Sequence, residues 1–439
     1  MIIYGSILLT YYLLGQHNLL QDYQRNLEAF RVTMPFIGLL YFVLMYAFGL
    51  YNTTRQKLPE VLYTVFLVSL SLMVGTMGIC FFLREAAFAF PRSVILLSAL
   101  LYFVLLSSWR CSLWIMFHRA HGIKRVTVVG SDARQLSEVI DSKYPKLYRV
   151  VHTCGEDTRA LPAYIRQTDE VFITSGVSRS ARAKLFLECA QCDKPVYFVP
   201  EYSDLSVMSS SFVKTDDIPT FCVSSMKLTL EERAVKRFFD LLLGGIATLV
   251  ALPVGLVVAL LVKLDGGPIF YSQERLTRDN KRFGVLKFRT MIPDAEKLSG
   301  PVLAGENDPR ITKIGHFIRA VRLDELPQLI NILRGEMSIV GPRPERPFFT
   351  EQFNQDIPEY RYRLRVKAGL TGLAQVEGKY NTSVEDKLRY DLIYIHKYSL
   401  LRDLLIMLQT VKILFMKSST EGVTAAQPAE QITAREVNA

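Results

Sequence analysis

Apolar runs at about 2–14, 33–51, 61–83 and 91–109 constrain this chain more than any other feature, because roughly 20 such residues cross about 30 Å of hydrocarbon. The last three runs have that length; the first is short. A signal peptide would carry a basic leader and a small-residue cleavage site, and neither surrounds Ile2, so the first run also reads as a span. Loops between the runs hold few charges, whereas Arg110, Arg119, Lys124 and Arg125 follow the fourth run and place that flank in the cytoplasm. Four spans would return the amino terminus to the same side. A chain of 439 residues that is 50% hydrophobic and 21% charged is neither disordered nor wholly soluble. Its net charge of +10 beside a membrane suits anionic headgroups or phosphorylated substrates at least as readily as nucleic acid. The six cysteines follow no disulfide framework, which fits a reducing cytoplasm.

The composition changes at about Gly122. Lys124–Gly130, Asp169–Ser175 and Pro195–Pro200 read as buried strands, with helices over Asp132–Asp141 and Ser180–Cys192 between them. This alternation predicts a small Rossmann-like parallel sheet over 123–200. Only Gly130 stands where a dinucleotide fingerprint needs three glycines, so a pyrophosphate-cradling turn is missing. Cys189 and Cys192 form a C-x-x-C late in a helix, where core packing is the better reading than redox chemistry. Residues 201–228 read as a connector with strand character. A further long apolar run, Phe238 to Leu264, within an expected re-entrant helix over 236–264, contains Pro253, which removes a helical hydrogen bond and predicts a sharp kink. Lys236 and Arg237 precede it, and Lys263, Arg275 and Arg278 follow. Like charge at both ends fits a helix that dips into the membrane and returns, rather than a fifth span.

Between Pro268 and Glu345 the sequence is dense in cations, among them Lys287, Arg289, Arg319, Arg322 and Arg343. Singly each suits a solvated surface; together they suit a site that gathers phosphates, since guanidinium forks bind phosphoryl oxygens in pairs. The sharpest feature is Arg322-Leu-Asp-Glu-Leu-Pro-Gln-Leu. Leu326, Leu329, Ile330 and Leu333 recur at helical spacing and Pro327 is tolerated only in a first turn, so Asp324 and Glu325 fall at a helix start. There the amides and dipole favour ionised carboxylates, as a nucleophile or a metal ligand requires. An ordinary N-cap explains the pair equally well on this motif alone.

KFRTM (287–291), PDAE (293–296), NDPRITKIGHFIR (307–319), RLDELPQLINILRGEMSIVGPRPE (322–345), GLTGLAQVEG (369–378) and KLRYDLIYI (387–395) run in order through the chain. Together they resemble the bacterial polyprenyl-phosphate hexose-1-phosphate transferases, over about 190 residues. The amino-terminal spans and sheet module resemble the large branch of that family, which includes undecaprenyl-phosphate glucose and galactose phosphotransferases. The resemblance implies a transferase of the bacterial cytoplasmic membrane that moves a sugar 1-phosphate from a UDP-sugar to undecaprenyl phosphate and releases UMP. It implies Asp324 as covalent nucleophile, Glu325 as ligand of Mg²⁺, and Lys287, Arg289, Arg319, Arg322, Arg343 and Gln375 as substrate contacts. It makes Pro253 the break of a re-entrant helix, and it implies initiation of exopolysaccharide, capsule or O-antigen synthesis. Expected partners are the UDP-sugar, undecaprenyl phosphate and membrane lipids, with a second copy of the chain and downstream glycosyltransferases as further candidates, and no nucleic acid.

The expected architecture is a membrane α/β protein: a four-helix transmembrane bundle (1–122), the sheet module (123–200), the connector (201–228), a catalytic α/β domain (229–417) and a disordered tail (418–439). Segments 346–366 and 398–417 mix aromatic and aliphatic residues with Arg and Lys, as interfacial amphipathic helices do. A retired, non-catalytic assembly partner would have lost Asp324 or Glu325, and both are present. A dehydratase or epimerase on the sheet module would need a glycine fingerprint and a Tyr-x-x-x-Lys pair, and 123–200 has neither.

Overall fold

The computed structural model describes residues 2–16, 23–51, 58–83, 91–208, 210–223, 226–292, 308, 310–378 and 382–414. The PDAE motif and the tail at 418–439 lie outside these. The chain forms two compact units, Met1–Glu201 and Tyr202–Ala439.

The first unit opens with helices α1 (Ile2–Gln16), α2 (Tyr23–Ala47), α3 (Leu58–Phe82) and α4 (Arg92–His121). Among the described residues, Asn26–Ala47, Leu58–Phe82, Arg92–Ala120 and Leu230–Leu264 are long and apolar enough to cross a membrane, whereas α1 is shorter. Polar side chains inside the bundle bond to their own helix: Thr10 donates to the carbonyl of Ser6, Thr33 to that of Ala29 and Thr76 to that of Leu72. In apolar surroundings that local bond keeps a buried hydroxyl tolerable. Tyr102 ties α4 to α3 through the carbonyl of Ser69.

A turn at Gly122, with φ +62°, leads from α4 into β1 (Lys124–Val129). There follow α5 (Ala133–Lys143), β2 (Tyr148–Cys154), α6 (Leu161–Gln167), β3 (Glu170–Ile173), α7 (Arg179–Gln191) and β4 (Val196–Phe198). The strands form one parallel sheet in the order β2-β1-β3-β4. β1 is buried along most of its length, as its continuous apolar run predicts. Strand β2 is an edge strand that alternates exposed and half-buried residues, so Tyr148–Cys154 lacks the apolar run that marks its neighbours. Cys189 is fully buried in this core, and burial pushes its thiol up to about 11. A thiol that stays protonated at neutral pH is inert, as packing rather than redox use requires.

The second unit begins in the stretch read as a connector. α8 (Tyr202–Met208) is followed by a hairpin of β5 (Ser211–Thr215) and β6 (Ile218–Cys222). Leu205 and Leu228 are buried among Val340, Tyr360, Leu388 and Leu392, so both ends of this stretch belong to the core of the second unit. α9 (Leu230–Leu264) starts at a capping box between Thr229 and Glu232 and is one continuous helix with Pro253 inside it, so the break expected at Pro253 does not interrupt the helix. One stripe of it is covered by the second unit: Lys236, Asp240, Gly244, Val258 and Val262 are buried. Elsewhere it exposes Leu249, Val250, Leu252, Leu256 and Leu260.

Lys236 and Arg237, read in the sequence as the basic flank before the apolar run, are turned into the fold. Lys236 is buried and bonds Asp403 and Tyr394, and Arg237 donates to the carbonyls of Ile332 and Leu333. Two adjacent long cationic side chains look solvated in sequence; here they fasten α9 to the fold.

β7 (Phe270–Leu276) and β8 (Arg282–Phe288) pair antiparallel, then come α10 (Lys313–Ala320), α11 (Gln328–Arg334), β9 (Ser338–Val340) and α12 (Pro347–Asp356). A short strand β10 (Gly369–Thr371) pairs parallel with β9, followed by α13 (Leu373–Glu377), α14 (Val384–His396) and α15 (Leu400–Leu414). The segment 346–366 is not one interfacial helix. α12 ends at Asp356, and the 3₁₀ run Pro358–Arg365 buries Tyr360 and Arg363 in the core. α15 buries Asp403 and Ile406 while exposing Leu401, Leu404 and Val411.

Candidate active site

Phe283 and Val285 of β8 point into a core shared with Leu329 and Ile332 of α11. Strand alternation puts Lys287 on that same face, two residues further on. The register between the two elements is locked by Asn331, fully buried on α11. Its Oδ1 accepts from the amide of Leu286 (3.0 Å), and its Nδ2 donates to the carbonyl of Gly284 (2.8 Å). At the other end of β8, Gly315 of α10 sits so close to the Thr290 carbonyl that a Cβ there would lie 2.1 Å from it. Only glycine permits this approach, and Arg319 closes it by donating to Thr290 Oγ1 at 2.8 Å.

From α10 the chain reverses through Arg322, a non-glycine residue at φ +54°, ψ +24°. Such a backbone costs of order 1–3 kcal/mol and persists where surrounding structure demands it. The demand here is immediate. The reversal carries the 3₁₀ turn Leu323–Glu325 back onto the end of β8 and into α11. Lys287 Nζ then lies 3.0 Å from Glu325 Oε1 and 3.5 Å from Asp324 Oδ2. Arg343 Nη2 donates to the same Glu325 Oε1 at 2.8 Å.

Arg343 lies in the turn Pro342-Arg343-Pro344, which two further arginines hold. Arg363 Nη2 donates to the Arg343 carbonyl (2.9 Å) and Arg275 Nη1 to the Pro344 carbonyl (3.2 Å). Arg363 is itself buried against Asp391 at 2.9 Å. Sequence reasoning missed Arg363 and Asp391. They stand 28 positions apart with no local pattern, and only the fold makes them a pair.

The two adjacent carboxyls experience opposite environments. Burial raises Glu325, but Arg343 and Lys287 together more than offset it and hold the group well below the ordinary carboxylate range. Burial raises Asp324 too, and there Lys287 opposes it less than burial and the neighbouring Glu325 charge require, so the Asp324 carboxyl stays above its ordinary value. The lowering expected of both carboxyls is therefore seen for Glu325 alone, where Arg343 and Lys287 supply it, whereas burial raises Asp324. A pair split in this way suits two different tasks.

Of the other expected contacts, Arg319 reaches Thr290 beside the pair, and Arg322 shapes the reversal. Arg289 is buried, donates to the Val262 carbonyl of α9, and leaves Nε and Nη1 without partners among the described residues. Gln375, in α13, donates to the Leu370 carbonyl, a contact within its own loop. Among the described residues no cluster of three or more His, Cys, Asp or Glu is placed to hold a metal. Mg²⁺ does not need one, because it commonly takes one or two carboxylates and completes its shell with substrate phosphates and water. Both cations on Glu325 fall on Oε1.

The family model for bacterial sugar transferases matches residues 231–417. The chain is 36% identical over 233 residues to UDP-N-acetylgalactosamine-undecaprenyl-phosphate N-acetylgalactosaminephosphotransferase of Aeromonas hydrophila, covering 52% of this chain and 54% of that protein. It is 36% identical over 249 residues to UDP-glucose:undecaprenyl-phosphate glucose-1-phosphate transferase of Escherichia coli, covering 55% and 53%. An exopolysaccharide production protein of Sinorhizobium fredii is 40% identical over 191 residues, covering 40% of this chain and 83% of that protein. The chain thus spans about half the length of the first two relatives and most of the third.

Proposed function

Because the chain belongs to the bacterial sugar transferase family, we propose that it transfers a hexose 1-phosphate from a UDP-sugar to undecaprenyl phosphate. The observation that carries this is the convergence of Lys287 and Arg343 on Glu325, with Asp324 buried beside them. In the first step an Asp324 oxygen attacks the sugar-bearing phosphorus. The bond to the UMP phosphate breaks and UMP leaves with its electron pair, giving a phosphosugar-aspartyl intermediate. A phosphate oxygen of the lipid then attacks the same phosphorus and releases Asp324. Lys287 and Arg343 supply fixed positive charge where phosphate oxygens gather. Glu325, held ionised, would bind Mg²⁺, which supplies charge neutralisation of the diphosphate when bound. UDP-glucose or UDP-galactose is the proposed donor, and initiation of a surface polysaccharide the proposed role, at the cytoplasmic face of the bacterial inner membrane.

We propose further that both flanks of α9 lie on one side of the membrane, and its contacts support this better than the flanking charges do. Lys236 to Val262 spans 27 residues, about 40 Å at 1.5 Å per residue, and both ends of that stripe pack on one folded body. A crossing helix would have to send its two flanks to opposite sides. Cysteines placed at 231 and 279 should therefore both resist an impermeant thiol reagent in intact cells and both react after permeabilisation. Labelling of 279 from outside would sink the topology.

The activity is tested with purified protein in detergent or native lipid, a panel of UDP-sugars and undecaprenyl phosphate. The expected result is UMP release with one or more donors, and a sugar-phosphate adduct on the Asp324 peptide by mass spectrometry when the lipid is withheld. Absence of UMP release from folded protein with every donor would overturn the reading.

A further inference from the structure

The turn Pro342-Arg343-Pro344 cannot hold itself, because its two prolines have no amide proton to give. Four successive carbonyls, from Pro342 to Glu345, take their donors from other elements. Gly369 of β10 gives its amide to the Pro342 carbonyl at 2.9 Å, and Leu276 of β7 gives its own to the Glu345 carbonyl at 3.0 Å. The two carbonyls between them receive guanidinium groups instead. Arg363 donates to Arg343 at 2.9 Å and Arg275 to Pro344 at 3.2 Å. These are the carbonyls of the residue that reaches Glu325 and of its successor.

Arg363 is tied down from several sides. Its side chain is 7% exposed and lies 2.9 Å from the carboxylate of Asp391 on α14, itself 3% exposed. The same guanidinium bonds the Tyr360 hydroxyl and sits 4.8 Å from the centre of that ring. Burial pushes the Asp391 carboxyl up to about 6 against the opposing pull of Arg363, so the group is ionised at neutral pH and the pair is charged. Such a pair is poor core material. Taking both charges out of water costs several kcal/mol per ion, and apolar residues of similar volume often serve stability as well or better. What apolar residues could not supply is an N–H at a fixed point against the Arg343 carbonyl.

We propose that Arg363 and Asp391 are positioning residues for the transfer: Asp391 fixes Arg363, Arg363 fixes the Arg343 backbone, and the Arg343 guanidinium is thereby held where Glu325 and the phosphate oxygens of the UDP-sugar meet. The pair acts through Arg343 rather than on the substrate. Its effect falls on the chemical step, because fixed charge lowers a barrier only when it needs no reorganisation as charge moves. A displacement of about 1 Å can cost about 100-fold in rate. A loosened turn would still admit the nucleotide sugar. This rests on the transfer reaction proposed above, and the tests separate the two.

The full chain is compared with Asp391→Asn, which keeps the shape and removes the charge, in native lipid. The kcat of UMP release should fall about 10–100-fold, the scale on which loss of a supporting partner of a site residue acts, with little change in the KM for the UDP-sugar. A double-mutant cycle then asks whether the loss passes through Arg343. In an Arg343→Ala background Asp391→Asn should cost almost nothing further, since the group it positions is gone. The same loss in both backgrounds would overturn the proposal. If Asp391→Asn does not fold, Arg363→Lys enters the same cycle with the same expectation. Amide hydrogen exchange gives a readout independent of turnover: Asp391→Asn should speed exchange from Gly341 to Glu345 and leave β8 unchanged. Unchanged exchange in the turn, or an equal rise in both segments, would overturn positioning. Folded parent protein that releases no UMP would sink the transfer reaction instead, and exchange would still decide whether the pair holds the turn.

Discussion

The turn after β1 and the turn after α10 both deliver polar residues to the start of a helix, yet they are built in opposite ways. At the first, a Cβ on Gly130 would lie 2.0 Å from Thr174 Oγ1, and one on Gly176 would lie 1.9 Å from Ser131 Oγ. The glycines there let two loops close on each other, so the space a phosphate would occupy is taken by the protein's own hydroxyls. Charges nearby are paired with one another, with the exposed Arg179 and the buried Arg182 both on Glu201. At the second turn no glycine is present. Arg322 takes the strained backbone, and a buried Asp324 stands beside Glu325, on which Lys287 and Arg343 converge. Burying charge costs several kcal/mol per ion unless it is paired, and here two adjacent carboxyls share two cations rather than pairing one to one, which marks the site better than a helix start or a glycine does.

The contrast breaks most visibly under substitution of one carboxylate at each turn. Asp324→Asn keeps the shape and removes the attacking charge, and UMP release should fall by about 10⁴ or more, as loss of a nucleophile typically does. Asp132→Asn, at the start of α5, should leave turnover close to that of the parent. Steady-state UMP release by both variants at matched expression decides it. Near-normal turnover by Asp324→Asn would remove its assigned role, and a large loss in Asp132→Asn would give the sheet module a part in catalysis.

Buried ion pairs away from the carboxylate turn sharpen the same comparison, because they hold the site without touching it. Lys236 is 7% exposed and Asp403 6% exposed, and Tyr394 bonds both. Lys236→Met strands the Asp403 carboxylate in the core, which typically costs about 3–5 kcal/mol. Thermal unfolding in detergent should show the loss directly. Lys236→Met combined with Asp403→Leu should recover part of it, since an apolar pair of similar volume removes the uncompensated charge. A single variant as stable as the parent would mean that the Lys236–Asp403 pair contributes nothing to holding α9.

How much of this was legible in the sequence follows from the range of each interaction. Asp324, Glu325 and Pro327 lie within four residues, and Lys287 sits in a short motif, so the sequence exposes them. The parallel strands with continuous apolar runs were legible for the same reason, and edge strand β2 was not, because its exposed side alternates. Lys236 with Asp403, Arg363 with Asp391 and Asn331 with Gly284 join residues tens of positions apart. Each looks like a solvated polar residue until the fold brings its partner. The sign of the Asp324 shift is of this kind too, since it depends on burial that no spacing reveals.

The smallest expected effect on activity concerns the boundary between the units. Every cation and carboxylate of the proposed site lies after residue 230, which suggests that a chain beginning there would suffice. The packing argues for an earlier start. Leu205 of α8 is 1% exposed and sits among Leu388, Leu392 and Val340, and Arg389 lies over the ring of Tyr202. A chain beginning at Tyr202 retains these contacts and should release UMP within a few-fold of the full-length rate. One beginning at Leu230 loses Leu205, Leu228 and the Thr229 cap. Deleting a buried leucine side chain alone costs about 2–5 kcal/mol, so this shorter chain should melt roughly 4–20 °C lower while keeping residual turnover where it remains folded. Thermal unfolding and UMP release, measured on both truncated chains and the full chain in one detergent, separate the cases. If the chain from Tyr202 is folded and membrane-bound yet inactive, the spans and sheet module reach into catalysis, and the division between a closed turn and a working one is drawn in the wrong place.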